Sequence, residues 1–154
     1  MKNNEKIFEP YDASGCHVGI VCAQFNHDIT EQILDSALSK LKKYGVTADL
    51  ITIRAVAGSV EIPIMLQKLA KEKKYDCLLA IGAVIKGETD HYRYVCKIVC
   101  EGVLRVMLDF SIPIGFAVLT VQNSELAESR VSIGAQAVEA VLQIVDNKII
   151  QYEI

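Results

Sequence analysis

The sequence lacks a cluster of basic residues. Its paired lysines, such as those at 42–43 and 73–74, are scattered, and the formal net charge is only −3. Proteins that bind nucleic acids or anionic membrane surfaces usually carry a dense patch of lysine and arginine. We therefore expect neither a nucleic-acid partner nor a membrane partner.

The sequence also lacks the hydrophobic segments that direct proteins into or across a membrane. No apolar run is long enough to span a bilayer, and residues 1–6 lack the apolar core of a signal peptide. We therefore expect a cytoplasmic protein. No low-complexity tract interrupts the 154 residues, of which 51% are hydrophobic, so the chain can form one domain with a substantial core.

Paired cysteines are missing as well. The five cysteines form an odd set without a Cys-x-x-Cys pair, and most lie in apolar runs, which is typical of reduced, buried thiols. Cys96 and Cys100 are one helical turn apart and could share a metal ion with His91, but no fourth ligand is apparent. We therefore expect no metal site.

What the chain does contain is an alternation of apolar runs and helical patterns. Strands are predicted in four segments, at residues 18–23, 49–54, 77–85 and 114–120. The first is apolar on both faces, as a buried parallel strand is. Repeated strand–helix units pair their strands in parallel through right-handed crossovers. We therefore predict an α/β fold over residues 17–154, with an open four-stranded parallel sheet and helices on both faces, a flavodoxin-like three-layer sandwich. Residues 1–16 are predicted to form an extended N-terminal arm.

Polar residues mark where the helices should begin. Asp28 or Thr30 is expected to cap the first helix, with Glu31 positioned for a capping box. Ser59 is expected to cap the second helix, which tolerates Pro63 only in its first turn. Three further helices are predicted, at about residues 90–109, 124–130 and 132–145.

Polar segments follow each predicted strand. Ligands of open parallel sheets bind at the carboxyl ends of the strands, so these segments should meet at one edge and form a binding site. The four segments are residues 25–26, 58–61, 87–91 and 120–123.

The third of these segments has the chemistry of a reaction site. A helix start presents unpaired N–H groups to an anion, and Gly87 lets the main chain approach a ligand closely. His91 follows at once, and histidine exchanges protons most readily near neutral pH. The same residue types have ordinary explanations, because Thr89 or Asp90 could be a simple helix cap and His91 could be merely solvated.

Four motifs carry a resemblance that extends from Val18 to about Ile149. They are FN at 25–26, GSVEIP at 58–63, GAVIKGETDHYRYV at 82–95, and FAVLT with ESR at 116–120 and 128–130. Together and at this spacing they resemble the 6,7-dimethyl-8-ribityllumazine synthases, the family of transferases that performs the penultimate step of riboflavin biosynthesis. The third motif is the most specific of the four.

The resemblance implies a reaction and a set of site residues. The reaction condenses 5-amino-6-ribitylamino-uracil with 3,4-dihydroxy-2-butanone 4-phosphate, releases phosphate and water, and needs no cofactor. His91 would carry protons. The pyrimidine and its ribityl chain would meet Phe25, Asn26, Gly58, Ser59, Val60, Glu61, Ala83, Val84, Ile85 and Phe116. The phosphate would meet Gly87, Glu88, Thr89 and Arg130, with Phe116 and Arg130 supplied by a neighbouring subunit.

The sequence departs from the family pattern at four places. Val60 replaces a usual aromatic residue, Arg93 replaces a usual acid, and Asp90 stands where a proline or small residue is common. The segment 131–137 is shortened and lacks the lysine that usually follows Arg130. Singly, each proposed site residue also has a structural explanation, such as a core position for Phe25. The alternative function is therefore a catalytically weakened structural shell or ligand-binding module of the same fold.

The resemblance also implies partners. The family assembles as homo-oligomers, so a pentamer, a decamer or a closed shell of sixty subunits is expected, and riboflavin synthase is a candidate partner protein. The N-terminal arm, residues 1–16, would then dock on a neighbouring subunit and cover the edge of its sheet. A flavin-binding electron carrier or a receiver domain fits less well, because the first loop lacks the phosphate cradle or acidic cluster these proteins need.

Overall fold

The four predicted strands form one sheet. The computed structural model of the protein describes residues 12–145, and its strands are β1 Val18–Ala23, β2 Ile51–Val56, β3 Cys77–Ile85 and β4 Ile114–Val121. All strand pairs are parallel, in the order β2-β1-β3-β4. The central strand β3 is buried over eight of its nine residues, which explains why its sequence is a continuous apolar run.

Helices cover both faces of this sheet. In the described part of the chain the α-helices are α1 His27–Lys43, α2 Ile62–Lys71, α3 His91–Asp109, α4 Ser124–Glu128 and α5 Ile133–Val145. The buried residues of α1 and α5 belong to one hydrophobic cluster, and those of α2 and α3 belong to the other. The predicted three-layer α/β fold is therefore confirmed.

The strand β3 extends past β1 at its carboxyl end. The pairing of β1 with β3 stops at Cys22 and Ile81, whereas the pairing of β3 with β4 continues to Ile85 and Val121. Residues 82–85 therefore have a paired strand on one side only. This offset leaves an open edge toward the loops that follow β1 and β2.

The predicted cap of α1 is wrong. The helix begins at His27, and its N-cap is Asn26, which makes no side-chain capping hydrogen bond. Neither Asp28 nor Thr30 occupies the cap position. The backbone of Asn26 is left-handed, with φ of 60°, a conformation that asparagine adopts more readily than most residues. The side chain of Asn26 donates a hydrogen bond across the open edge to the carbonyl oxygen of Ala83, and this bond holds the loop in that shape.

The region around β2 and α2 also differs from the prediction. A 3₁₀-helix at Ala48–Leu50 delays the start of β2 to Ile51, so the strand runs two residues later than expected. Ser59 does not cap α2 but begins a second 3₁₀-helix, Ser59–Glu61, and α2 starts after it. Pro63 does lie in the first turn of α2, as predicted.

Only residues 12–16 of the predicted N-terminal arm are described, so its proposed docking lies outside the described residues. The amide of Ala13 donates to the carbonyl oxygen of Tyr44 at 2.7 Å, which fastens this stretch to the end of α1. Among residues 12–145, no helix is both long enough and apolar enough to cross a membrane.

Close packing of α1 against α5 predicts the effect of one substitution. A Cβ atom added at Gly134 would overlap the carbonyl oxygen of Ile33, which backbone hydrogen bonding holds in place. We expect Gly134→Ala to lower the free energy of unfolding by about 2 kcal/mol, although alanine usually favours helices over glycine. Urea denaturation measures the change.

The control for this prediction is Gly87→Ala, because nothing lies within 4 Å of a Cβ atom added at Gly87. We expect its free energy of unfolding to stay close to that of the unaltered protein. Equal stability of both variants would contradict the close helix contact.

Candidate active site

A cavity of about 580 Å³ opens at the carboxyl edge of the sheet. The loops after β1, β2 and β3 bound it, together with the first turn of α3. The loop after β4, which the sequence predicts to join them, contributes no lining residue. Twelve residues predicted as site residues line the cavity: Phe25, Asn26, Gly58, Ser59, Val60, Glu61, Ala83, Val84, Ile85, Gly87, Thr89 and His91.

The loop after β1 forms one wall of the cavity. The amides of Gln24 and Phe25 donate to the carbonyl oxygens of Val56 and Ala57, at 2.8 and 2.9 Å, so this loop continues alongside β2. The ring of Phe25 is left 72% exposed and turned to the cavity. Its exposure rules out a core role for this phenylalanine within the subunit.

Asn26 spans the open edge of the sheet. Its Nδ2 donates to the carbonyl oxygen of Ala83 at 2.8 Å. Because a carbonyl oxygen only accepts, this bond determines which way the amide faces, and the Oδ1 of Asn26 has no donor among residues 12–145 and can accept from a ligand. The bond therefore aligns β3 with the loop after β1 and leaves an acceptor in the cavity.

A buried hydroxyl lies at the base of the cavity. Ser59 is only 6% exposed, and its hydroxyl has no hydrogen-bond partner among residues 12–145. A Cβ atom at Gly82 would lie 2.6 Å from this oxygen, so glycine is required there for Ser59 to fit. Glu61 follows on the same 3₁₀-helix, and its exposed carboxylate also lines the cavity.

The end of β3 presents main-chain groups to the cavity. The amide of Lys86 donates to the carbonyl oxygen of Val121 on β4, at 2.9 Å. Main-chain groups of successive strand residues point to opposite sides, so those of Ile85 point away from β4. Because β1 is not paired this far along, they face the open edge, where Ile85 lines the cavity.

The loop after β3 carries unpaired amides. Within residues 12–145, the amides of Gly87, Glu88 and Thr89 donate to no protein acceptor. The next helix, α3, begins at His91, so these donors lie at the positive end of its dipole. The hydroxyl of Thr89 accepts from the His91 amide at 3.3 Å. Loop and imidazole therefore lie together at one end of the cavity, as an anion site requires.

Three predicted site residues lie outside this cavity. Glu88 belongs to the same loop but does not line it. Phe116 is 38% exposed and lines a separate apolar groove between β4 and α5. The Arg130 guanidinium donates to the carbonyl oxygen of Leu126 and the hydroxyl of Ser129, at 3.3 and 3.0 Å. The described lining residues of the cavity include no lysine or arginine.

Sequence reasoning missed three lining residues: Ala57, Tyr92 and Val95. Tyr92 and Val95 stand one and four positions after His91, so the three share a face of the first turns of α3. This spacing from His91 is the feature of the sequence that could have identified Tyr92 and Val95 as lining residues.

Burial raises the pKa values of two side chains in the first turns of α3. Desolvation raises the pKa of the Tyr92 phenol, and its interaction with Cys96 raises it further. Burial likewise raises the pKa of the Cys96 thiol. Both groups are therefore protonated at neutral pH. Within the described residues, no three or more metal-binding side chains are grouped so as to hold an ion.

The comparison with known proteins agrees with the motifs. A sequence model of the 6,7-dimethyl-8-ribityllumazine synthase family matches residues 15–148. The chain belongs to this family. The resemblance drawn from the motifs is therefore confirmed, and so is the prediction of an enzyme of the transferase class.

Individual lumazine synthases align over most of their length. The enzyme of Chromobacterium violaceum is 43% identical over 126 residues, which are 81% of each chain. The enzyme of Coxiella burnetii is 44% identical over 117 residues, or 76% of this chain and 78% of its own. That of Desulfovibrio desulfuricans is 38% identical over 142 residues, or 91% of each chain.

The hydrogen bond of Asn26 predicts a pH-dependent loss of stability. In Asn26→Asp, an ionised carboxylate would face the carbonyl oxygen of Ala83 in place of a donor. We expect the free energy of unfolding at neutral pH to fall by about 1–3 kcal/mol. Only the protonated carboxyl can donate, so folding raises its pKa, and the deficit should shrink as pH falls below that pKa.

The control is Asn26→Gly, which keeps the left-handed backbone accessible without introducing a charge. Its deficit should not depend on pH. Denaturation at several pH values measures both variants, and a pH-independent deficit in Asn26→Asp would contradict the assigned bond.

Proposed function

We propose that the protein condenses 5-amino-6-ribitylamino-uracil with 3,4-dihydroxy-2-butanone 4-phosphate, giving 6,7-dimethyl-8-ribityllumazine, phosphate and water. The observation that carries this proposal is the meeting, in one cavity, of His91 with Gly87 and Thr89, whose amides donate to no acceptor among residues 12–145. Membership of the lumazine synthase family supports the same step of riboflavin biosynthesis. No metal or organic cofactor takes part in the proposed reaction.

The pyrimidine would bind between the loop after β1 and the end of β3. The exposed ring of Phe25 offers a flat apolar face, which favours stacking with a planar heterocycle. The main-chain groups of Ile85 and the Oδ1 of Asn26 offer a donor and acceptors in the plane of such a ring. Val60, 41% exposed, bounds the cavity with less surface than an aromatic side chain would provide.

The ribityl chain would extend toward the loop after β2. The buried hydroxyl of Ser59 lacks a protein partner among residues 12–145, and a substrate hydroxyl could satisfy it. The carboxylate of Glu61 can accept from further hydroxyls. Polyol recognition of this kind needs several hydrogen-bonding groups close together, and this loop provides them.

The phosphate would bind to the amides of residues 87–89, and His91 would act on the bonds that change next to it. The amine of the pyrimidine attacks the ketone, one water is lost as the Schiff base forms, and phosphate leaves by elimination. The ribitylamino nitrogen then attacks the remaining carbonyl carbon, and loss of a second water closes the ring. Each step needs a proton moved, and a positioned imidazole serves both as acid and as base.

A neighbouring subunit would complete the site. The cavity has no cationic side chain among its described lining residues, although its anion site faces a doubly charged substrate group. We propose that Arg130 and Phe116 of the partner subunit supply the cation and the second aromatic wall, within a pentamer or a larger assembly. The guanidinium is a planar fork suited to phosphate, and its present bonds are to exposed groups of α4 and of the residue that follows that helix.

The lack of a cationic side chain among the described lining residues also supports a second candidate function, that of a ligand-binding module. With no lysine in the segment 131–137 and no lysine or arginine among the described lining residues, the assembly could bind ligands without efficient turnover. A steady-state assay with both substrates, read by lumazine fluorescence, separates the candidates. Turnover above the uncatalysed condensation supports the enzyme, and substrate binding without turnover supports the binding module.

His91→Ala tests the proton carrier. We expect kcat to fall roughly a hundred- to ten-thousand-fold, the usual contribution of a positioned acid–base group, with stability unchanged because the side chain is exposed. The matched control is His27→Ala. That imidazole is 69% exposed and lies outside the cavity, so turnover should be retained. Wild-type kcat in His91→Ala would remove His91 from the mechanism.

Gly87→Ala tests the phosphate site. The added methyl group meets no protein atom within 4 Å, but it would stand beside the unpaired amides. We expect KM for the butanone phosphate to rise roughly tenfold or more as hydrogen bonds to the phosphate are lengthened. KM for the pyrimidine should change little. Equal changes in both KM values would show that the substitution disturbs the whole cavity instead.

A further inference from the structure

The start of α5 is capped by a residue of another helix. The first amides of a helix have no acceptor within the helix itself. The amides of Gly134 and Gln136 donate to the carbonyl oxygens of residues 131 and 132, just before α5. The amide between them, that of Ala135, donates instead to the hydroxyl of Ser36 on α1, at 2.9 Å. Ser36 therefore completes the first turn of α5 from 99 residues away along the chain.

The main chain of Arg130 is tied to the same helix start. Its carbonyl oxygen accepts from the amide of Ile133, the first residue of α5, at 3.1 Å. On the other side, the amide of Arg130 donates to the carbonyl oxygen of Ala127, a buried residue of α4, at 3.1 Å. Arg130 therefore lies between two anchored points, and the start of α5 is one of them.

This turn of α5 is also packed closely against α1. Gly134 precedes Ala135, and a Cβ atom added at Gly134 would overlap the carbonyl oxygen of Ile33 and lie 3.0 Å from the amide nitrogen of Ala37. Ser36 stands between these two residues of α1. The two helices thus meet backbone to backbone, and the bond from Ala135 to Ser36 sets the register between them.

A second link joins the two helices one turn further along. The ammonium group of Lys40 lies 2.7 Å from a carboxylate oxygen of Glu139, and the two side chains are only 21% and 24% exposed. These residues stand four positions after Ser36 and Ala135, so their link is farther from Arg130. The chain therefore offers two links between the same helices, and only the first is next to the arginine.

We propose that Ser36 is a positioning residue for phosphate binding: by holding the start of α5 against α1, its hydroxyl fixes the point from which the Arg130 guanidinium reaches a neighbouring cavity. This inference rests on the proposed function, in which Arg130 of one subunit completes the site of the next. Only residues 131 and 132 separate Arg130 from α5, so little chain is available to absorb a shift of the helix start.

The test compares two substitutions that each break one link between α1 and α5. Ser36→Ala removes the hydroxyl that caps α5. Lys40→Met, the matched control, removes the ammonium group one turn away and keeps an apolar stem. Each is also combined with Arg130→Ala. The measurements are kcat, KM for both substrates, urea denaturation, and hydrogen exchange of peptides spanning residues 129–137 by mass spectrometry.

We expect Ser36→Ala to raise KM for the butanone phosphate roughly three- to ten-fold, the effect of one neutral hydrogen bond, and to speed exchange in that peptide. KM for the pyrimidine should change little. In the Arg130→Ala background, Ser36→Ala should raise KM no further, because both substitutions remove the same contact with the phosphate. Lys40→Met should lower stability, since Glu139 loses its ion-pair partner, and leave both KM values unchanged.

Several outcomes would overturn the proposal. Unchanged KM in Ser36→Ala, or an equal rise in the Arg130→Ala background, would show that the hydroxyl does not act through Arg130. A rise of the same size in Lys40→Met would point to general loosening of α5.

Two outcomes separate this inference from the proposed function. A raised KM in Arg130→Ala with wild-type KM in Ser36→Ala would leave the phosphate contact standing and remove only the role of Ser36. Hydrogen exchange needs no substrate, so unchanged exchange in Ser36→Ala would dismiss the positioning role even if the unaltered protein gave no turnover. Unchanged KM in Arg130→Ala would remove both the contact and its positioning.

Discussion

The offset between β1 and β3 is the constraint on which the rest of the structure depends. Had β1 continued to pair with β3 as far as Ile85, its backbone would fill the space that the cavity occupies. Instead, one side-chain amide, from Asn26, crosses to Ala83 and ends the pairing. A single hydrogen bond thus aligns two strand ends while leaving β3 with main-chain groups that no strand satisfies. Those groups, the ring of Phe25 and the loop after β2 surround the same space.

The helix α3 joins the site to the core. Its later turns bury Val99, Val103 and Val106 under the sheet, and that burial holds the helix axis in place. Its first turn is exposed, so the residues of the reaction lie on the least restrained part of a well-anchored element. An anion site needs this arrangement, since amides at a helix start are available only where nothing covers them.

How far the sequence predicts this structure depends on whether a residue's role is local. Apolar runs correctly located β1, β3 and β4, because a buried parallel strand must be largely apolar, whereas the more exposed edge strand β2 was predicted two residues too early. The helix caps at Asp28 and Ser59 were predicted from local preference and were wrong, since both loops are shaped by contacts across the sheet edge. Tyr92 was missed for a related reason. Its position in the chain does not show which side of α3 it occupies, and only its neighbours in space reveal that it lines a cavity.

The sequence by itself determined the class of fold, the family, and which loops contain the proposed site residues. Buried strands and motif spacing can be recognised from the order of residues alone. The sequence could not decide which groups those loops leave unpaired. The direction of the Asn26 amide, the lack of a partner for Ser59 among residues 12–145, and the separation of Phe116 and Arg130 from the cavity emerge only in three dimensions. Each depends on the register between strands, and register is set by packing between residues far apart in sequence.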